Sequence, residues 1–305
     1  RDLVRSRGLG DVYKRQVVPP LLFLVLSLII VQPSLSGTKG YFPFLFVVFA
    51  SEAILLLFRK SPVAVNIGII LYCILIFWEI MTAKIGVKNS MLYPAPENVF
   101  SVFLGDHQKI LQGVFSSLQL LFIAFIIATV LGVSLGLFVG LSDHLSGIVL
   151  PIVRVISPIP PIIYSPYAVA LLPTFRVAAI FVVTLTIFWS LFMNMVLSVR
   201  EIDPKIMNSA KTLNVSKFSM IVDVLIPYSL PGLINSISVS ISTSFLVLTA
   251  AEMIGGTSGL GWYIKYHSDF ANFDKVVFGI FMIGLVVTIL NFGVKSLRRV
   301  LVPWK

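Results

Sequence analysis

The 305-residue chain is 57% hydrophobic and only 12% charged, and it has a formal net charge of +10. A soluble domain of this length cannot hide so many apolar residues, so the composition excludes that class and indicates an all-α polytopic membrane protein. Excess Lys and Arg in such a protein marks cytoplasmic loops, which makes a nucleic-acid site the weaker interpretation of the charge.

The first sixteen residues are set apart from the rest of the chain. The run DVYKRQ at positions 11–16 matches the translation of a transposon adapter used in sequencing libraries. We therefore interpret residues 1–16 as an adapter-derived artefact and leave them out of the fold prediction. A genuine basic leader before the first membrane helix is the alternative.

Apolar segments close to the ~20 residues of a membrane helix recur along the remaining chain. Eight spans are predicted, at about 17–32, 41–58, 62–83, 116–141, 148–172, 175–198, 225–250 and 276–294. Lys and Arg are more frequent in the loops on the side of residues 199–217 and the C-terminal tail. The positive-inside rule therefore orients that side toward the cytoplasm.

The fourth span carries Gly132, Gly136 and Gly140, which repeat every four residues and so share one helix face. Without Cβ atoms, this face lets a partner helix approach closely. We predict a helix-packing face at these three glycines.

The fifth span is rich in proline. Interior prolines remove helix hydrogen bonds, and carbonyls freed at membrane depth need protein groups or a wet cavity as partners. The segment is therefore either a broken helix that lines a translocation path or a kinked packing helix. On the first interpretation, the path residues are Pro160, Pro161, Tyr164, Tyr167 and, at the outer end of the seventh span, Glu252.

A polar element interrupts the apolar chain at residues 203–227. Asp203 predicts the start of a helix, Asn214 its left-handed end, and Ser216 the cap of a second helix. The element is thus a short amphipathic helix-turn-helix on the cytoplasmic side. Its apolar face around Ala210 is predicted to dock another protein.

The spacing within this element resembles the signature of ABC importer permeases, which reads E-A-A, three residues, Gly, nine residues and I-x-L-P. Asn replaces the Glu, with loss of a charge, and a second Asn replaces the Gly. By this resemblance, the residues that couple to an ATPase are Asn208, Ser209, Ala210, Leu213, Asn214, Val224, Ile226 and Pro227.

Further segments resemble the nitrate/sulfonate/taurine branch of these permeases. In chain order they are YPAPENVF, GVSLGLFVG, ISPIPPIIYSP, AAEMIGGTSGLGWYI and SLRRVLVPWK. The resemblance covers residues 62–305, with a coupling loop at 199–227. It implies a six-helix permease core, preceded by two extra transmembrane helices within 17–58. LLPTFR departs from the branch, which has a glycine-containing segment there.

The resemblance implies a permease subunit of the bacterial inner membrane that forms the pathway for a small solute, such as a sulfonate, nitrate, taurine or a vitamin precursor. The implied partners are cytoplasmic ABC ATPase subunits, an extracytoplasmic solute-binding protein, a second permease copy and membrane lipid, but no nucleic acid. ATP and Mg would bind to the ATPase, and this chain would bind no cofactor or metal. Consistently, the sequence contains no G-x-x-x-x-G-K-[ST] phosphate loop.

Glu252 belongs to the A-E-M segment of the branch, where it would stabilise an outer gate or a re-entrant turn. An interfacial carboxylate in water is the alternative for this residue.

A secondary transporter or channel is the alternative function. Broken helices suit it, but it predicts coupling through intramembrane acids or bases, which are few, and it leaves residues 203–227 unexplained. A membrane enzyme would need a nucleophile–base pair or a metal cluster, and no such pattern stands out. DNA binding by the helix-turn-helix conflicts with its flanking membrane spans.

Overall fold

The computed structural model describes residues 2–34, 40–85 and 91–301. The last four residues of the SLRRVLVPWK tail lie outside this range. The described helices are α1 (Asp2–Val31), α2 (Phe42–Leu57), α3 (Pro62–Glu79), α4 (Pro96–Gly140), α5 (Asp143–Ile156), α6 (Ser165–Leu171), α7 (Phe175–Arg200), α8 (Pro204–Thr212), α9 (Lys217–Ser219), α10 (Ile226–Gly255), α11 (Leu260–Asp269) and α12 (Phe273–Leu301).

Two π-helical turns and one 3₁₀ turn extend these helices. The turn Ile80–Lys84 continues α3, Met220–Leu225 joins α9 to α10, and the 3₁₀ turn Pro161–Tyr164 leads into α6. The chain forms two compact units, of which the first holds Arg1–Ile110 with Tyr266–Phe278 and the second holds Leu111–Lys265 with Gly279–Lys305.

Within the described residues, five helical segments are long and apolar enough to cross a membrane, and α5 with α6 supplies a sixth if the bent pair is one span. The predicted polytopic α-helical fold is therefore confirmed. The helix α4 runs for 45 residues without a break and begins well before the predicted fourth span at 116–141. At 1.5 Å per residue it extends roughly 67 Å, about twice the thickness of a bilayer core.

The apolar parts of the two N-terminal helices are shorter than the five candidate membrane spans. The apolar part of α1 is Val17–Val31, and α2 has 16 residues. A helix of that length reaches about 24 Å, less than the ~30 Å of a hydrocarbon core. That both helices cross the membrane therefore stays a prediction, as does the adapter origin of the residues that begin α1.

The first unit joins α1 and α2 to α3 through side-chain contacts. The rings of Phe23 and Phe49 meet edge to face with centroids 4.9 Å apart. The hydroxyl of the buried Tyr72 donates to Glu52 Oε2 at 2.9 Å, which gives a buried carboxylate of α2 a partner on α3. A polar pair of this kind fixes the register of helices in an apolar environment.

In the second unit, the glycine face of α4 lies directly against α7. A Cβ added to Gly136 would lie 2.7 Å from Met195 Cβ and 2.9 Å from the Phe192 carbonyl oxygen. The flanking glycines make equally close approaches, with Gly132 against Leu191 and Gly140 against Val199. The two backbones can come this close only because these positions lack side chains.

The same contacts fix the direction of the chain. Residue numbers rise together along the two helices, from Gly132 beside Leu191 to Gly140 beside Val199, so α4 and α7 run parallel. The segment between them must therefore return to the side of the membrane where α4 began. That return is made by α5 and α6, which are bent by 75° at the proline-rich break.

Candidate functional site

The break between α5 and α6 exposes a stretch of non-helical backbone. The first helix ends at Ile156, and Pro160 holds an extended conformation with ψ of 126° before the 3₁₀ turn. Of the predicted path residues in this stretch, Pro160 and Tyr167 are exposed, while Pro161 and Tyr164 are half-buried. The sequence thus predicted the break itself correctly.

A groove of about 420 Å³ opens beside this break in the second unit, and we call it the polar groove. It is lined by Ser157 of the break, by Ser236 of α10 and by one face of α7, which contributes Thr186, Trp189, Ser190, Met193, Asn194 and Leu197. Thr186, Ser190 and Asn194 are four residues apart, so they form one row on the helix. One wall of the groove is therefore a polar stripe on α7, a helix whose other residues are mostly apolar.

The groove offers hydroxyl and amide groups and, among its described lining residues, no charged side chain. Such groups can both donate and accept hydrogen bonds, which lets them replace part of the hydration shell of a small polar solute. Asn194 also meets α10 closely, since a Cβ added to Gly232 would lie 2.7 Å from Asn194 Oδ1. The two groove helices are therefore in direct contact behind the open face.

These lining residues are not among those that the sequence predicts for the path. Pro160, Pro161, Tyr164 and Tyr167, which the sequence predicts to lie on the path, are not among the described residues that line the polar groove, and their place on the path stays a prediction. The spacing of Thr186, Ser190 and Asn194 along an apolar helix was the signal available in the sequence.

Glu252 lies in a second polar region of the same unit. Its side chain is 1% exposed, and both carboxylate oxygens are hydrogen-bonded. Ser117 Oγ of α4 donates to Oε1 at 2.7 Å, and the backbone N–H of Gly261 donates to Oε2 at 2.8 Å. The N–H of Leu260 in turn donates to Ser117 Oγ at 3.0 Å. We call these residues, with Gly259, the Glu252 cluster.

Glycine is required where the backbone folds back over this carboxylate. Gly259 has a φ of +112°, and a Cβ there would lie 2.3 Å from the Glu252 carboxyl carbon. The cluster thus ties the end of α10 to the loop before α11 and to α4. This burial excludes the alternative of an interfacial carboxylate in water and agrees with a stabilised turn at the end of α10. Glu252 was also predicted to line the path, but it does not line the polar groove.

The polar element at residues 203–227 has the local structure that its caps predict. Asp203 Oδ1 accepts the backbone N–H of Lys205 at 2.8 Å, and Ser216 Oγ accepts that of Ser219 at 3.1 Å. Between them, Asn214 adopts a left-handed φ of 51°, which ends α8 and turns the chain into α9.

The predicted docking face around Ala210 needs a correction. Ala210 is only 6% exposed, because α8 turns this side chain toward its own chain. The large apolar side chains on the surface of the polar element are Leu213 at 78% exposure, Phe218 at 75%, and Ile206 and Val222 at 41% each. An apolar surface does exist on the element, but Ala210 is not part of it.

The other predicted coupling residues divide by exposure. Asn208, Ser209 and Asn214 are exposed, whereas Val224, Ile226 and Pro227 are half-buried where the chain enters α10. Their contact with an ATPase stays a prediction.

Comparison with known proteins identifies the family. Residues 128–305 match the family described as the binding-protein-dependent transport system inner membrane component. The chain belongs to this family. As its motifs predicted, it is an ABC importer permease of the nitrate/sulfonate/taurine branch and a multi-pass protein of the inner membrane.

Curated relatives of this permease cover most of its length. The taurine transport system permease protein TauC of Escherichia coli is 26% identical over 252 residues, which are 80% of this chain and 91% of TauC. The nitrate import permease protein NrtB of Synechocystis is 26% identical, over 81% of this chain and 92% of NrtB. The putative aliphatic sulfonates transport permease protein SsuC of Bacillus subtilis is 25% identical, over 78% and 87%.

A solved structure shares the fold of the permease. It is an inward-facing form of the MetNI methionine ABC transporter, with a TM-score of 0.57 and 19% sequence identity. The match covers 64% of this chain and 97% of that chain.

Proposed function

We propose that this permease forms half of the solute pathway of an ATP-driven importer and receives its driving force through α8 and α9 from a separate cytoplasmic ATPase. The observation that carries the proposal is the polar groove, because a row of hydroxyl and amide groups at membrane depth is costly unless it meets water or a polar solute. The groove is open on one side. A second permease copy facing it would complete the pathway.

The coupling element is attached to both helices that line the groove. Only residues 201–203 separate the end of α7 from α8, and α9 continues through a π-helical turn into α10. The hydroxyl of Tyr228 on α10 donates to the Glu201 carbonyl oxygen at 3.5 Å, which links the two ends of the element. A displacement of α8 would therefore pull on α7 and α10 together and alter the width of the groove.

The proposed solute is small and polar, of the sulfonate, nitrate or taurine kind that the names of the relatives state for those proteins. A solute-binding protein would deliver it on the outer side. ATP and Mg would bind to the partner ATPase, so the permease itself would catalyse no reaction. The exposed apolar side chains of Leu213 and Phe218 would contact that ATPase.

The test is co-purification of the tagged permease with its ATPase from the native host, comparing Leu213→Asp with Leu141→Asp. Both leucines are exposed, but Leu141 lies in the turn between α4 and α5 and outside the coupling element. A buried unpaired charge costs roughly 3–5 kcal/mol, so Leu213→Asp should abolish co-purification and ATP-driven uptake. Leu141→Asp should retain both.

Two results would contradict the proposal in different ways. If Leu213→Asp retains the ATPase and uptake at the wild-type level, the coupling surface is wrong. If a folded wild-type chain brings down no ATP-binding cassette protein, the secondary-transporter alternative replaces the importer. Unfolding midpoints of both variants in detergent establish that neither result comes from misfolding.

A further inference from the structure

A second groove runs along the surface of the second unit, and we call it the apolar groove. Its volume is about 700 Å³, and α4, α10 and α12 form its walls. Phe115 and Phe122 contribute from α4, Ile241 from α10, and Leu290, Val294 and Leu297 from α12. It is separate from the polar groove, because no described residue lines both.

The lining restricts what can fill the apolar groove. Its walls belong to three helices that are long and apolar enough to cross a membrane. Lipid tails are as apolar as leucine, so the hydrophobic effect does not favour a protein helix over an acyl chain on a surface of this kind. Among the described residues that line this groove, Gln119 alone offers a polar solute a hydrogen-bonding side chain.

Basic residues of α12 lie at one end of the apolar groove. Leu290 and Val294 line the groove, and Arg298 is four residues further along α12. Arg298 therefore lies on the same helix face, one turn beyond Val294. Lys295 and Arg299 are its close neighbours, and all three side chains are exposed. In the described part of the chain, none of the three is paired with a carboxylate. An acyl-chain groove therefore ends at an unneutralised basic cluster.

We propose that the apolar groove and this basic cluster together form a binding site for an anionic phospholipid. One acyl chain would lie along α12 between Phe122 and Val294, and the phosphate would accept hydrogen bonds from Arg298 and its basic neighbours. Basic residues at the membrane surface beside a cleft between helices are suited to anionic head groups. The site does not depend on the transport assignment.

The chain offers a matched pair of glycines on α12 to test the groove. A Cβ at Gly293 or at Gly284 would meet no atom within 4 Å, so a side chain can start from either position without a clash at its Cβ. Only Gly293 lines the apolar groove. Native mass spectrometry of the purified full chain should therefore show phospholipid retained by wild type and by Gly284→Phe, but lost from Gly293→Phe.

The charge is tested separately with added phosphatidylglycerol and phosphatidylcholine. The unfolding midpoint of the wild type should rise more with phosphatidylglycerol, because a ligand that binds only the folded state stabilises it. Arg298→Gln combined with Arg299→Gln should remove this preference, whereas Lys60→Gln, an exposed cation of the first unit, should preserve it.

Three results would overturn the proposal. Equal stabilisation of the wild type by both lipids would show that the head-group site is absent. Equal lipid retention by Gly293→Phe and Gly284→Phe would show that the acyl chain lies elsewhere. A changed oligomeric state of Gly293→Phe with unchanged lipid retention would make the groove a protein contact.

Discussion

Two polar regions of the second unit differ in how their polar groups are used. In the Glu252 cluster, both carboxylate oxygens have donors and the side chain is buried. In the polar groove, Thr186, Ser190 and Asn194 face an open volume. The polar groups of the cluster bind one another and hold three segments together. Those of the groove face an open volume, although Thr186 Oγ1 also donates to the Val182 carbonyl oxygen and Asn194 Oδ1 accepts from Ser198. Polar groups that face hydrocarbon are costly, so the open row favours contact with water or solute. Substitutions in the cluster should therefore reduce stability, and substitutions in the groove should reduce transport.

The largest effect on stability is expected from Glu252→Ala. This change leaves the Ser117 hydroxyl and the Gly261 N–H without their acceptor inside the protein. Each lost partner costs about 1–3 kcal/mol, so the unfolding midpoint in detergent should fall sharply. Glu252→Gln keeps one acceptor oxygen, so its unfolding midpoint should lie between those of the wild type and Glu252→Ala. A midpoint of Glu252→Ala equal to the wild type would show that the cluster is not a joint.

The glycine face of α4 also joins two segments, but through apolar contacts with α7. In Gly136→Ala the new methyl group would lie 2.7 Å from Met195 Cβ, whereas in Gly147→Ala it would meet no atom within 4 Å. Overpacking costs about 1–3 kcal/mol, so Gly136→Ala should lower the unfolding midpoint. Gly147→Ala, in α5, should leave it unchanged or raise it slightly. Equal midpoints for the two variants would mean that α4 and α7 are not in contact at this face.

How much the sequence could predict depends on the range of each interaction. The helix end at Asn214 and the caps at Asp203 and Ser216 follow from neighbouring residues, and all three are found. The row of glycines in α4 is periodic, so their shared face was predictable as well. These features need only the geometry of a single helix.

Features that join distant segments could not be predicted in this way. Ser117 and Glu252 are 135 residues apart, and nothing near either residue identifies the other as its partner. The burial of Ala210 depends on how α8 lies against its own chain, which the amphipathic pattern alone does not specify. The polar groove likewise needs α7, α10 and the break to be brought together.

A smaller, pH-dependent effect is expected from an ionic cluster in the first unit. Lys275 Nζ lies 2.6 Å from Asp106 Oδ2, and His267 Nε2 lies 3.9 Å from the same oxygen. Burial, followed by the charges of Lys275 and Lys109, lowers the pKa of His267, while Asp106 opposes the shift. The folded state therefore binds this proton less readily than the unfolded chain.

The sign of the effect follows from this difference in proton binding. The stabilisation from neutral His267 should be complete above the ordinary histidine pKa of about 6.5 and be lost as the pH falls through the lowered pKa. Unfolding midpoints measured from neutral to mildly acid pH should thus decline more steeply for the wild type than for His267→Gln. Identical pH profiles for the two proteins would contradict this assignment.

The smallest effect on stability, with the largest on transport, is expected in the polar groove. Thr186→Val keeps the shape of the side chain and removes its hydroxyl, and Ser190→Leu fills part of the open volume. Because that volume faces away from the protein interior, the free energy of unfolding should change by about 0.5 kcal/mol or less, and the unfolding midpoint should change little. ATP-driven uptake in proteoliposomes with the partner ATPase should fall at least about tenfold for Ser190→Leu, while ATPase co-purification persists. If Ser190→Leu destabilises the chain as strongly as Glu252→Ala, the residues of the polar groove serve packing. The Glu252 cluster and the polar groove would then not differ in role.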